Sequence, residues 1–533
     1  MKHTLLFLFI ASAVAQCPAE SEAAQRILRC ANTTSGWVAG HPAPKNPSVY
    51  EYLGIPFAQP PLGNLRFAPP KAYVGTGFIN GTNFGYTCPK LLADALSFIP
   101  QNFPDVASNY TASGISIIDA FSQVGDAARN HEDCLTLNIW TRARAGEEKK
   151  AVMIWIYGGA FLNGNTANPV YDGSTLVNDE DVIMVSINYR VNIFGFSGDS
   201  TGPTSNYGML DQRLAIEWVH ENIARFGGDP TRITTFGQSA GSCSIDYYSY
   251  AYPKDPIVNS MIMQSGNIPS LPTLTPSQAF ANWRNISTSL GCGDASHDPT
   301  LTIQCMRNPN LTTASILEIA HLHTWLPSID NTLVFPDYPT RAAAGNLANI
   351  PLLIGSTNNE AAIFAAQIPM SHQPAQDWSL ITNQTFACPA AARANLSAAL
   401  GAKTWRYRYF GDFPNLQLQR GVEAGAFHIS DVYTLFGTWP AGTGIPAPTT
   451  QEVELGRYMR GAWAAFAKDS QRGLLTYRGG DWEVEKEEEN ADRAPLQRGW
   501  PNYKPGVATM ARLGFENQVG IILDRPELYD SAC

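Results

Sequence analysis

Charge is sparse in this chain, and basic charge is sparser still. Of 533 residues only 15% are Asp, Glu, Lys or Arg, and 46 acidic against 36 basic side chains leave a formal net charge of −10. A nucleic-acid partner calls for a basic face, so this balance argues against one. The only dense charge run, Asp481 to Asp492, is mostly acidic and reads as a solvated loop. Long apolar runs are lacking too. Beyond the first fifteen residues no stretch approaches the roughly 20 residues needed to cross a bilayer. The closing Tyr529-Asp530-Ser531-Ala532-Cys533 has no hydrophobic tail. A stable membrane anchor is therefore not expected. Nine cysteines include no C-x-x-C pair, which argues against zinc or thioredoxin-type chemistry. No repeat or long low-complexity tract occurs.

Several features point to export. Lys2 and His3 precede the apolar Leu5–Ile10 and the small residues Ala11-Ser12-Ala13-Val14-Ala15. A basic start, a short apolar core and small residues read as a secretory signal over residues 1–15, leaving residues 16–533 as one domain. Asn-x-Ser/Thr sequons at Asn32, Asn80, Asn109, Asn285, Asn310, Asn383 and Asn395 agree with a secreted, extracellular glycoprotein. In that setting an odd number of cysteines implies disulfides with one thiol left over.

Strand-like runs alternate with helical ones. Val49–Leu53, the stretch leading to Trp140, Val152–Tyr157, Asp181–Tyr189, Arg232–Phe236, Met261–Gln264 and Leu352–Gly355 are apolar and strand-like, and Tyr207–Phe226 has helical spacing. Such alternation predicts an α/β fold on a large, mostly parallel sheet with helices on both faces. Cys88 and Cys134 bracket a long insert. Within it Leu92, Leu96, Ile99 and Phe103 fall at helical spacing, with Pro100 as a breaker. Residues 88–134 therefore read either as a packed surface loop or as a lid-like loop over an apolar site.

The sharpest motif follows the strand Arg232–Phe236. In Gly237-Gln238-Ser239-Ala240-Gly241 a serine sits among small residues where a strand should give way at once to a helix. A nucleophile on so tight a turn needs neighbours without bulk. The same five-position pattern recurs at Gly198-Asp199-Ser200-Thr201-Gly202, but Pro203-Thr204-Ser205-Asn206 follows, so that copy lies in a loop. Ser239 is the candidate nucleophile. Cys243, on the helix just after it, is the expected free, buried thiol. His321-x-His323 has no carboxylate companion and reads as structural rather than metal-binding.

Further stretches accompany this motif: the proline-punctuated loop Gly54–Phe67, Glu132–Trp140, Tyr157-Gly158-Gly159-Ala160-Phe161, Asn188-Tyr189-Arg190, and Phe226-Gly227-Gly228-Asp229-Pro230 running on through Gly241. Together they resemble the type-B carboxylesterase/lipase family, the cholinesterase-like branch of the α/β hydrolases. The Gly-Gly-Ala turn is nearest to secreted fungal esterases and lipases. The resemblance implies an α/β-hydrolase fold and a catalytic triad completed by Glu360, within Ile354–Glu360, and by His428, within Phe427–Asp431 ahead of Phe436-Gly437. The order Ser, acid, His agrees with that fold. It also implies an oxyanion hole from the amides of Gly159, Ala160 and Ala240, and disulfides Cys88–Cys134, tethering the loop, and Cys292–Cys305. An Arg66–Glu132 ion pair is implied as well, with Ser265 beside the triad near Asp431. No metal or cofactor is called for.

Departures from the family matter equally. Gln238 stands where cholinesterases have glutamate, and no tryptophan lies between Cys88 and Cys134. A quaternary ammonium wants aromatic faces and negative charge, and neither is expected here. Ala361 and Ile429 replace family glycines, so the backbone beside both triad partners is expected to differ. The expected activity is hydrolysis of a small-molecule or lipid ester, uncharged, through an acyl-enzyme. Alternatives are a true lipase or sterol esterase and, from another class, a non-catalytic adhesion protein.

Overall fold

The runs Val152–Tyr157 and Arg232–Phe236 lie side by side at the centre of a large sheet, because side chains apolar on both strand faces demand cover on both. The computed structural model describes residues 30–90, 109–122, 129–142, 146–367, 377–479 and 499–533. The expectations for residues 1–15, Cys17, Leu92, Leu96, Ile99, Phe103 and Asp481–Asp492 lie outside the described residues. In chain order the strands are β1 (Cys30–Thr33), β2 (Gly36–Ala39), β3 (His41–Pro42), β4 (Tyr50–Pro56), β5 (Phe78–Asn80), β6 (Thr136–Thr141) and β7 (Lys150–Ile156). They continue with β8 (Ile183–Ile187), β9 (Gly228–Gln238), β10 (Ser260–Gln264), β11 (Leu352–Thr357), β12 (Thr404–Tyr409), β13 (Met510–Leu513) and β14 (Ile521–Asp524).

Strands β1, β2 and β5 make a small sheet, and the other eleven run in the order β14-β13-β12-β11-β10-β9-β7-β8-β6-β4-β3. From β8 through β13 every neighbouring pair is parallel. Antiparallel pairs occupy the two margins. The parallel block is buried on both faces, and β7, β8, β10, β11 and β12 have no exposed position. Helix Ala240–Ala251 packs on β9 and β10, and helix Thr450–Lys468 packs on β7 and β9. Large side chains such as Trp155, Trp405 and Trp463 are fully buried between these layers, where a large apolar side chain contributes about 1.5–3 kcal/mol. β9 starts at Gly228, and its pairing with β7 shifts register between Lys150 and Val152.

Disulfides join Cys88 to Cys134, Cys292 to Cys305 and Cys388 to Cys533. Cys30 is also disulfide-bonded, while Cys243 is free and buried. The 46-residue and 145-residue separations correspond to about 4 and 5 kcal/mol of chain entropy. Arg66 grips Glu132 through two bonds of 2.6 and 2.7 Å, beside the Cys88–Cys134 base. Arg190 does the same with Asp211, fixing the turn after β8 to helix Tyr207–Asn222. Six of the sequon asparagines are exposed and Asn383 is half-buried.

Candidate active site

Four strands of the parallel block deliver the candidate residues at their carboxyl ends, where open α/β sheets leave a crevice. β9 stops at Gln238 and a helix begins at Ala240. Ser239 between them has φ 57° and ψ −127°, a conformation that costs a non-glycine residue about 1–3 kcal/mol. The surroundings enforce it. A Cβ on Gly241 would stand 2.0 Å from the carbonyl oxygen of Ile156, and one on Gly237 would stand 2.7 Å from the same atom. Cβ atoms on Gly158 and Gly266 would stand 2.8 Å from Ser239 Cβ and 2.5 Å from Ser239 O. The Ser239 amide donates to Gln264 O at 2.9 Å, tying the turn to β10. Burial pushes the Cys243 thiol up, which leaves it inert beside the turn.

Glu360 follows β11 and is fully buried. Its Oε1 accepts from the Thr357 amide at 2.7 Å, and its Oε2 lies 2.5 Å from His428 Nδ1. A nitrogen facing a carboxylate so closely carries the proton, which leaves a lone pair on Nε2. That nitrogen lies 2.9 Å from Nε2 of Gln238, the residue before Ser239. The structure thus brings Ser239, Glu360 and His428 to one corner of the sheet.

Asp431 sits behind this group. Its Oδ2 accepts from Gln264 at 2.9 Å and from Tyr407 at 3.3 Å. Burial, with the charge of Glu360 adding, raises its carboxyl to about 6 against the hydrogen bond from Gln264. No hydrogen bond reaches Ser265 Oγ among the described residues; its neighbour Gln264, not Ser265, holds Asp431. Ile429, which follows His428, has φ 80°, a left-handed conformation that a glycine takes without cost and that a β-branched residue bears as strain. Ala361, at φ −74°, is ordinary helix.

The turn after β7 carries successive positive φ values, 108° at Gly159, 54° at Ala160 and 63° at Phe161. The amides of Gly159, Ala160 and Ala240 donate to no other backbone group among the described residues. Ala240 opens its helix, where amides lack intrahelical acceptors. His321 caps helix Thr313–Ala320, and His323 stacks edge-on against Trp325. Neither lies with the candidate site residues.

Three rings missed in the sequence surround His428: Phe386, Phe364 and Phe121, with centroids at 4.9, 5.2 and 6.4 Å. Phe364 lies four residues after Glu360, a helical spacing that could have revealed it. Phe121 belongs to the helix Ala112–Ser122 of the disulfide-closed loop, and no spacing rule reaches it. Aromatic faces are therefore present, contrary to expectation. The carboxylates beside them, Glu360 and Asp431, are engaged elsewhere.

A strained serine at a strand-to-helix turn, on a mostly parallel sheet with acid and histidine on later loops, defines an α/β hydrolase. The chain belongs to the carboxylesterase family, which it matches over residues 28–379, and it is a carboxylic ester hydrolase of that family. Relatives include a chlorogenic acid esterase of Aspergillus niger, 32% identical over 453 residues that cover 83% of either chain. The secreted lipase 5 of Gibberella zeae is 31% identical over 539 residues, 94% of this chain and 92% of the relative. An acetylcholinesterase of Electrophorus electricus is 34% identical over 336 residues, 61% and 49% of the two chains. His428 lies beyond the family match, so its pairing with Glu360 is a matter of geometry.

Proposed function

We propose that this protein is a secreted serine esterase for uncharged carboxylic esters, with Ser239 as nucleophile, His428 as general base and Glu360 as the orienting carboxylate. The 2.5 Å contact between His428 Nδ1 and Glu360 Oε2 carries the reading, because it fixes the tautomer whose Nε2 can take a proton. As Ser239 Oγ attacks the ester carbonyl, its proton passes to His428 Nε2. The carbonyl oxygen becomes an oxyanion that the amides of Gly159, Ala160 and Ala240 receive. His428 then gives the proton to the leaving alcohol, and water repeats the sequence on the acyl-enzyme. Glu360 stays ionised and offsets the charge of the imidazolium.

The substrate class follows from the surroundings of the imidazole. Phe121, Phe364 and Phe386 offer apolar ring surface and no uncompensated negative charge, which suits a neutral ester rather than a choline ester. Similarity along nearly the whole chain to a relative named a secreted lipase favours long-chain lipid esters as the second reading. The test is fluorophosphonate labelling of Ser239, followed by turnover of nitrophenyl esters of graded chain length, aryl esters and emulsified triacylglycerols. Turnover confined to emulsified triacylglycerols would establish a lipase. No labelling of the native protein would make it a non-catalytic, adhesion-type member of the fold. Signal cleavage near Ala15 is checked by the amino terminus of the exported protein.

A further inference from the structure

Each ring nitrogen of His428 has one side-chain hydrogen-bond partner among the described residues. Nδ1 faces Glu360 and carries the proton. Nε2 therefore presents a lone pair, and the group that meets it at 2.9 Å is the carboxamide nitrogen of Gln238, not the hydroxyl of Ser239. Gln238 is 2% exposed and His428 is 1% exposed. On its other side the carboxamide abuts the turn after β7, where a Cβ on Gly158 would lie 3.1 Å from Gln238 Oε1. The amide is thus enclosed between the imidazole and the turn.

An N–H donated into the lone pair stabilises the neutral imidazole and opposes proton uptake at Nε2. During acylation the Ser239 Oγ–carbon bond forms while the Oγ proton moves to Nε2. From then on the ring offers N–H, and the amide N–H can no longer point at it. The amide must therefore leave Nε2 before the proton arrives; a carboxylate there, which only accepts, would instead hold a proton on the ring.

We propose that Gln238 is a positioning residue for the general base: it docks on His428 Nε2 in the free enzyme and yields that lone pair to Ser239 when an ester binds. The proposal rests on the Ser-His-Glu reading above. The charged groups around the ring are Glu360, on Nδ1, and Asp431, held by Gln264 and Tyr407. Three phenylalanine rings flank it, and Gln238 is the one side chain hydrogen-bonded to Nε2 among the described residues.

The experiment is the pH profile of kcat/KM on a neutral short-chain nitrophenyl ester for wild type, Gln238→Met and Gln238→Glu, with fluorophosphonate labelling rates over the same range. Methionine keeps the length and removes the donor, so the acid limb should move to higher pH. Glutamate adds an acceptor that favours the imidazolium, and its limb should move further, by about one pH unit or more. A purely structural role would lower the plateau and leave the limb in place. Limbs that overlay the wild type in the folded variants would overturn the proposal. Should the glutamate variant fail to fold, the methionine limb alone decides. Absence of labelling in the wild type would overturn the triad reading instead.

Discussion

Gly237–Gly241 and Gly198–Gly202 share one five-position pattern and have nothing else in common. Ser239 is held at a left-handed φ between a buried strand and a helix, while Ser200 is exposed and lies in a loop. Around Ser239 both glycines are required by backbone oxygens 2.0 to 2.7 Å from a hypothetical Cβ. Around Ser200 the two glycines differ. Gly198 has φ +71° and would press on Ala279 O at 2.3 Å, whereas Gly202 meets nothing nearer than Thr204 O at 3.7 Å. The second loop is held by Asp199, which accepts from the hydroxyls of Ser197, Thr201 and Tyr207. One copy stores strain at a serine between a strand and a helix, and the other is a hydrogen-bonded turn. A motif acquires chemistry only through the backbone behind it.

The most direct way to break this comparison is to exchange each serine. Ser239→Ala should abolish hydrolysis and fluorophosphonate labelling with the circular dichroism spectrum unchanged, and Ser200→Ala should keep both activities. Equal losses in the two folded variants would sink the distinction. The proposed pairing of Glu360 with His428 is tested next. Glu360→Gln should lower kcat by up to about 10⁴-fold, as loss of the tautomer-fixing carboxylate does in other triads. Asp431→Asn should cost far less, because Asp431 bonds Gln264 and Tyr407 rather than the imidazole. Reversed severities would transfer the acid role to Asp431.

The glycines sharpen the comparison at the level of stability. Gly241→Ala places a methyl 2.0 Å from Ile156 O and 2.6 Å from Tyr157 O. It should destabilise the fold by about 3 kcal/mol. Gly202→Ala should stay within about 0.5 kcal/mol of wild type. Urea unfolding of both variants checks the pair, and similar midpoints would remove the steric argument.

Asp431 gives a smaller, pH-dependent effect than Gly241. Its carboxyl is raised from the ordinary 3.8 to about 6 in the fold. A raised group favours the fold fully below the unfolded value, and that contribution is lost as pH rises through the folded value. Relative to wild type, Asp431→Asn should therefore gain about 2 kcal/mol between pH 4 and pH 7, read as the difference in unfolding free energy. A difference independent of pH would show that Asp431 titrates normally.

Much of the fold was legible because it rests on local pattern. The apolar runs at Val152–Tyr157, Met261–Gln264 and Leu352–Gly355 became strands near their expected limits, since a strand buried on both faces must be apolar throughout. Ser239 was legible from its neighbours' lack of bulk. Glu360 and His428 were not legible from residue chemistry alone. Either is one of many, and only motif resemblance singled them out ahead of the 2.5 Å contact. Phe121 and Phe386 stayed hidden because they come from separate segments that meet His428 only in the folded chain. Ile429 was equally silent: its residue type gives no sign of the left-handed φ of 80° that it adopts beside His428.

The sequence by itself determined the alternating strands and helices, the elbow at Ser239 and the separation of that elbow from its copy at Ser200. These depend on residue size and periodicity within a few neighbours. The tertiary structure decided which carboxylate faces His428, which cysteines join Cys388 and Cys533, and that Gln238 meets the imidazole lone pair. Each of those is a contact between segments tens to hundreds of residues apart. Side-chain period within a strand says nothing about such pairs; the sheet order that places β9 beside β10 and β10 beside β11 brings their ends together.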